Sequence, residues 1–248
     1  MRRLILVTVL LAIGVVSEAY TLFGHRWALL EVPFYVNVSQ MSAQMTPEQA
    51  VAELIQAANN WPEQAGIPLH FTFQGLTTRR SGITSLYEPG SRDNVNVIEL
   101  APCDDAGNCS GGNVYWWYDN TGFLVEADMF IRDGVYPVLQ SGVPCSGGIY
   151  LQDFATHEFG HILGLGHSTV DTATMKANFG FCDQVRTLDQ DDIDGARSLY
   201  GVNPVVVPVV EVCGDGLDND GDGLIDEDCI PHPCKKKGRF ACVDPIVP

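Results

Sequence analysis

Short runs of alternating or continuous apolar residues mark the strands of this chain. β-Rich runs predict strands at 33–39, 69–73 and 96–100. Two further runs, 113–119 and 123–131, are separated by an Asn-Thr-Gly turn sequence and predict a β-hairpin. Most of the strands therefore belong to one continuous central region of the chain.

The first helix is predicted from its start signal and its periodicity. Thr46 can cap the helix, Pro47 suits the first helical position, and Gln49 completes a capping box. Apolar residues then recur at helical spacing as far as Trp61. We expect Pro62 to limit the helix, because proline lacks the amide hydrogen that the helix interior needs.

Two more helices are predicted nearer the end of the patterned region. One covers 151–163, and the other covers 189–201, where acidic residues crowd the start and Gly201 can act as the stop. The buried stripe of the latter is predicted to contain Ile193, Ala196, Leu199 and Tyr200. Because several strands lie between the first helix and the second, the pattern predicts an α+β fold.

Changes in composition divide the chain into segments. Arg2 and Arg3 precede an apolar run of Leu4 to Val16, and small residues lead to a possible cut after Ala19. This pattern is typical of a secretory signal, and the alternative is a membrane anchor or a buried helix. The expected organisation is a signal peptide at 1–19, a main domain at 20–201, an extended linker at 202–212 and a small cysteine-containing tail at 213–248.

Cysteine content and charge agree with a secreted protein. The eight cysteines are an even number, which favours disulfides in an oxidising compartment. Nearest-neighbour pairing predicts Cys103–Cys109, Cys145–Cys182, Cys213–Cys229 and Cys234–Cys242. The net charge of −17 argues against binding to nucleic acid or anionic lipid. We expect a monomer that is secreted and, once the signal is cleaved, has no membrane partner.

Three of the six histidines lie within HEFGHILGLGH, residues 157–167. On a helix, His157 and His161 lie about 40° apart on one face, while Glu158 lies about 100° from His157. The glycines that follow allow a tight turn that can bring His167 to the same metal. Three imidazoles leave one zinc position open for water, and a carboxylate beside the metal can act as general base. The alternative is a set of ordinary histidines on a helix and a turn.

The motif HEFGHILGLGHS resembles the zinc signature of the metzincin peptidases and, within them, of the matrixins. Met175 lies eight residues after His167 and matches the Met-turn of that clan, and the helix at 189–201 resembles the final helix of matrixin catalytic domains. The resemblance implies a twisted, mainly parallel sheet with an antiparallel edge strand and an active-site helix. It also implies catalytic zinc on His157, His161 and His167, with Glu158 as catalytic base.

Several positions depart from the matrixin pattern. Lys176 and Ala177 stand where tyrosine and proline usually follow the Met-turn methionine, so the wall of the main specificity pocket is left open. No histidine lies between 71 and 156, and we therefore expect the second, structural zinc site of many matrixins to be absent. No cysteine precedes Cys103, so we expect activity without removal of an inhibitory propeptide.

The tail contains CGDGLDNDGDGLIDEDC at 213–229. Its spacing fits a calcium loop, in which Leu224 would offer its carbonyl and the carboxylates would come from Asp218, Asp220, Asp222 and Asp226. Cys229 replaces the usual final glutamate, and the flanks do not predict an EF-hand. The motif resembles the aspartate-rich motifs of thrombospondin type 3 repeats and of bacterial secreted proteins. The alternative is a solvated acidic loop closed by Cys213–Cys229.

These features together favour a secreted zinc endopeptidase that acts on a protein or peptide substrate and carries a small calcium-binding tail. A substrate strand is expected to pair with the edge strand at 113–119. One alternative is a different hydrolase that uses the same metal site. Another is a secreted calcium-dependent adhesive or binding protein whose peptidase-like domain is inert, against which the intact Glu158 argues.

Overall fold

A computed structural model describes residues 19–41, 45–81, 92–102, 112–133 and 137–202. The chain divides into two units near residue 203, and all described residues belong to the first unit. The acidic motif of the tail lies outside the described residues, as do the cysteines of three of the four expected disulfides. In the described part of the chain, no helix is both long enough and apolar enough to cross a membrane.

A six-stranded sheet forms the centre of the fold. Its strands are β1 (Arg26–Trp27), β2 (Glu31–Asn37), β3 (His70–Leu76), β4 (Val97–Ala101), β5 (Gly112–Tyr118) and β6 (Phe123–Arg132). β6 pairs in parallel with β1 and β4, and the sheet continues in parallel through β2 to β3. β5 runs antiparallel to β6 and pairs with no other described strand, so one edge of β5 is open. The predicted hairpin and the mainly parallel sheet with an antiparallel edge strand are confirmed.

Two helices cover one face of the sheet. The first, α1 (Pro47–Ala65), begins with the predicted capping box between Thr46 and Gln49. The expectation that Pro62 limits this helix is wrong, because the helix runs on to Ala65. Proline removes one backbone donor from α1 without ending it, and Gly66 ends the helix in the left-handed conformation and donates its amide to Pro62 O.

The core is centred on the second helix, α2 (Leu151–Leu163), whose bounds are those predicted. Phe159 on this helix packs against Phe34 and Phe71 of the sheet, with ring centroids 5.6 and 4.9 Å apart. Trp61 of α1 is fully buried and donates its indole N–H to Thr156 O at 2.9 Å. These contacts fix the position and the rotation of α2 against the sheet.

The last described helix, α3 (Gln190–Tyr200), begins at the capping residue Asp189 and is followed by Gly201, as predicted. Ala196 and Leu199 of the predicted stripe are buried, whereas Ile193 and Tyr200 are partly exposed. Asp192 is also buried, although its charge made it a poor candidate for the core. A small two-stranded sheet, β7 (Val138–Leu139) with β8 (Ile149–Tyr150), precedes α2.

Candidate metal centre and cleft

The α2 helix and the turn after it bring three histidines together. His157 and His161 lie one turn apart on α2, which ends at Gly164 with a φ of 106°. At Gly164 a Cβ atom would collide with the carbonyl oxygen of His25, so both the backbone conformation and the local space require glycine. The chain then turns back and places His167 beside the helix. The predicted convergence of the three residues is confirmed.

The imidazoles are spaced and oriented as a metal site requires. One ring nitrogen from each histidine can be chosen so that all three lie within 4.8 Å of one another. The Nδ1 atoms of His157 and His161 lie 2.7 and 2.8 Å from the carbonyl oxygens of Thr174 and Leu165, which requires that these nitrogens donate. Their Nε2 atoms are therefore free to bind a metal, and the carbonyls fix the ring orientations.

Burial keeps the two helical histidines neutral. It lowers the pKa of His157 to about 4 and that of His161 to about 3, and the proximity of the other histidines adds to both shifts. A neutral imidazole is the form that binds a metal. His167 is exposed, and it completes the site from the solvent side.

Glu158 follows His157 on α2 and lines the same cleft. Its side chain is buried, and burial raises its pKa to about 8. A divalent cation nearby would oppose this shift, because it favours the carboxylate. The residue is thus a carboxyl group in a dry environment beside the three imidazoles.

The Met-turn packs against α2 and contacts His157 through the carbonyl of Thr174. Met175 is buried, and the space beside it is so tight that a Cβ atom on Gly160 would collide with Met175 Sδ and with Trp61. The backbone of this turn is held by Asp192 of α3, which accepts hydrogen bonds from the amides of Thr174 and Met175 at 2.8 and 3.0 Å. Met175 is thus buried against Gly160 of α2, and its assignment to the hydrophobic base of the metal site stays a prediction.

The histidines lie in an open cleft of about 930 Å³. The edge strand β5 lines one side with Asn113, Val114 and Trp116. Trp116 also packs against the core, so this side chain has a packing role as well as lining the cleft. Thr21 and Phe23 also line the cleft, which no local pattern of residues predicts.

One end of the cleft is aromatic and is fastened by a disulfide. Phe154, Phe179 and Phe181 line this end, and the rings of Phe154 and Phe179 meet edge to face at 5.4 Å. The predicted disulfide Cys145–Cys182 is confirmed and joins this wall to the segment before α2. The wall that the sequence left open is therefore built from residues 177–181, behind the Met-turn.

An ion pair also stabilises the same wall of the cleft. Lys176 Nζ lies 2.6 Å from a carboxylate oxygen of Asp183, and both side chains are partly exposed. Lys176, which departs from the matrixin pattern, thus holds the two ends of the wall segment together. The other described histidines lie elsewhere, since His25 stacks on Tyr118 and His70 is exposed on β3.

These features define a metzincin-type peptidase domain. They are a mainly parallel sheet with an antiparallel edge strand, a helix bearing two histidines, a third histidine after a glycine turn, and a methionine turn. The family model for matrixin peptidases matches residues 27–201. The chain belongs to the matrixin family.

Individual relatives are similar over shorter stretches. Metalloendoproteinase 1 of Glycine max is 46% identical over 61 residues, which are 25% of this chain and 20% of the relative. Metalloendoproteinase 5-MMP of Arabidopsis thaliana is 44% identical over 79 residues, 32% of this chain and 21% of the relative. The hatching enzyme of Paracentrotus lividus is 54% identical over 57 residues, 23% of this chain and 10% of the relative. The matched stretch thus spans about a fifth or less of the relatives' length.

Proposed function

We propose that this protein is a secreted zinc-dependent endopeptidase in which His157, His161 and His167 hold the zinc and Glu158 is the general base. The observation that carries the proposal is the convergence of three imidazoles beside a buried carboxyl group in an open cleft. The matrixin domain and the relatives named metalloendoproteinases support the same activity.

The residues fit a catalytic zinc ion. Two ligands present Nε2 because their Nδ1 atoms donate to backbone carbonyls, and three nitrogen ligands leave one position of a tetrahedral ion open. Bound zinc would make water a better nucleophile and polarise the peptide carbonyl. The carboxyl group of Glu158 would accept the proton of the attacking water and pass it to the leaving amine.

The cleft suits an extended peptide. The open edge of β5 offers backbone donors and acceptors to a substrate strand, and the side chains that line the cleft are largely apolar or aromatic. An endopeptidase needs a cleft of this kind, which is open along the strand direction rather than closed into a deep pit. We therefore expect protein or peptide substrates.

The first test is the substitution Glu158→Gln, with Glu63→Gln as the control because Glu63 is exposed on α1. Loss of the general base should reduce kcat by at least about 100-fold, while the zinc content stays at one per chain. Metal analysis and hydrolysis of a denatured protein would be measured together. Near-full activity of the Glu158 variant would refute the mechanism, and a wild-type protein that binds zinc but cleaves nothing would favour the inert binding protein.

We further propose that secretion follows cleavage after Ala19 and that the tail binds calcium through Asp218, Asp220, Asp222, Leu224 and Asp226. The sequence pattern alone supports both statements. Calorimetric titration of the full chain with calcium should show a site that is lost when Asp220 and Asp222 are replaced by asparagine. An unchanged titration would mean that the acidic loop is only solvated.

A further inference from the structure

The segment after the Met-turn methionine belongs to a closed loop rather than a free connection. This wall loop, residues 174–186, carries Phe179 and Phe181 of the aromatic end of the cleft. At the neck of the loop, the hydroxyl of Thr174 donates a hydrogen bond to Val185 O. The loop therefore returns to the turn from which it starts, and its shape depends on how its two ends are held.

Arg186, at the end of the wall loop, is bound on several sides. Its guanidinium forms an ion pair with Asp153, in which Nη2 lies 2.5 Å from Oδ2, and its backbone amide donates to Oδ1 of the same carboxylate at 2.8 Å. Nη1 donates to Gln152 Oε1 at 3.1 Å, and the Arg186 carbonyl accepts from Gln64 Nε2 at 3.0 Å. One residue thus joins the wall loop to α1 and to the first turn of α2.

The ion pair is made on the helix that carries the candidate zinc ligands. Asp153 lies four residues before His157 on α2, and its side chain is fully buried, whereas the Arg186 side chain is 25% exposed. A buried carboxylate requires partners, and here Arg186 binds both oxygens. The end of the wall loop is therefore fixed relative to the metal site.

The wall loop also reaches the place where a substrate would be cleaved. The ring of Phe179 lies 6.1 Å from that of His157 and 5.4 Å from that of Phe154. A substrate side chain that contacts Phe179 therefore belongs to a residue next to the scissile bond. A shift of the loop by about 1 Å would weaken this contact, because a gap of that size forfeits much of the dispersion energy.

We propose that Arg186 is a positioning residue for substrate recognition. Its bonds to Asp153 hold the wall loop against α2, and the loop then holds Phe179 where an apolar or aromatic substrate side chain can pack on it. Arg186 does not itself line the cleft, so it acts through the loop. The inference rests on the proposed peptidase function, which it extends to an ion pair outside the cleft.

The variants are chosen to separate loop position from general stability. Asp153→Asn weakens the pair without leaving a buried charge, and Arg186→Gln removes the other partner, whereas Arg186→Lys keeps the positive charge. Arg197→Gln is the matched control, because Arg197 Nε also donates to a backbone carbonyl, that of Ala65 at 2.7 Å, but joins α3 to α1. Unfolding in urea is measured for each variant, so that all assays use conditions in which the protein is folded.

The zinc-loaded full chain is assayed with peptides that share one cleavable sequence and carry alanine, leucine or phenylalanine on either side of the scissile bond. For the wild type, a large side chain at one of these positions should raise kcat/KM over alanine by roughly 10- to 100-fold. In Asp153→Asn and in Arg186→Gln this preference should fall by about fivefold or more, mainly through KM, while kcat/KM for the alanine peptide changes by less than about threefold.

Arg186→Lys should keep most of the preference, and Arg197→Gln should keep all of it. The double variant Asp153→Asn/Arg186→Gln should lose no more than either single variant, because both changes remove the same interaction. Binding of the same peptides in the Glu158→Gln background, followed by tryptophan fluorescence, should show the same loss of preference without turnover.

Equal losses on all peptides would mean that the ion pair has a structural role only, and would refute the positioning role. An intact preference in Asp153→Asn, or a wild type that does not prefer large side chains, would refute it as well, and Asp153→Asn decides if Arg186→Gln does not fold. In each of these cases the peptidase function stands. If the wild type cleaves none of the peptides and no denatured protein, the proposed function itself fails.

Discussion

Replacing Asp192 by asparagine should damage both the stability of the domain and the metal site. The Asp192 carboxylate is 1% exposed and accepts hydrogen bonds from three backbone amides, those of Thr174, Met175 and Asp189. Asparagine has almost the same shape, but it can offer only one acceptor oxygen. Its amide group would face at least one of these N–H donors.

The expected change in the free energy of unfolding is the cost of the lost hydrogen bonding minus the cost of burying the charge. One amide becomes an unsatisfied buried donor, and the remaining bonds change from charged to neutral, which together cost about 3 to 5 kcal/mol. Burial of the charge opposes this, as shown by the pKa of Asp192, which burial raises above its usual range despite the three donors. The neutral amide avoids that cost, so we expect a net loss of about 2 to 4 kcal/mol.

For a domain of this size, such a loss lowers the Tm by about 10 °C. Thermal unfolding would be followed for the wild type, Asp192→Asn and the control Asp194→Asn, whose side chain is exposed on the same helix. Because Thr174 O also accepts the Nδ1 proton of His157, we expect the zinc affinity to fall by roughly tenfold. A Tm for Asp192→Asn within 2 °C of that of the control would refute the reasoning.

Three other changes have definite expected outcomes. Burial is the main cause that raises the pKa of Asp128 to about 9, so the folded protein should lose stability as the pH rises from about 4 towards 9. Asp128→Asn should flatten this pH dependence, as measured by denaturation at pH 5 and pH 8. Replacing Cys145 and Cys182 by serine opens a link between residues 37 apart in sequence and should cost about 4 kcal/mol, seen as a lower midpoint in urea than that of the unreduced wild type. Gly160→Ala should destabilise the domain by about 1 to 3 kcal/mol, and a variant as stable as the wild type would contradict the tight packing at this glycine.

The metal site could be predicted from sequence because its determinants are local. Four residues separate His157 from His161, so the helical repeat alone places them on one face, and the glycines identify the turn to His167. The capping box at Thr46 is similarly encoded within four residues. The Cys145–Cys182 disulfide follows from nearest-neighbour pairing, and its two cysteines lie 37 residues apart.

The surroundings of the site depend on contacts between distant residues, and no local pattern predicts these. Thr21 bonds to a residue 146 positions away, and nothing in its neighbourhood distinguishes it from an ordinary residue before a strand. The role of Asp192 was hidden because acidic residues at a helix start are expected to face solvent and favour the helix dipole. Pro62 does not end α1, because the end of this helix is set by Gly66 in the left-handed conformation, four residues later.

The first turn of α3 connects the two halves of the metal site. Asp191 accepts hydrogen bonds from the amide of Tyr20 and from the hydroxyl of Ser168, next to His167, while Asp192 binds the Met-turn, whose Thr174 carbonyl orients His157. Adjacent carboxylates on one helix therefore hold the segment that follows His167 and the segment whose carbonyl binds His157. Since both depend on the same turn of backbone, a change that frays the start of α3 should disturb both histidines together, whereas His161, whose Nδ1 partner is Leu165 O, should be affected least.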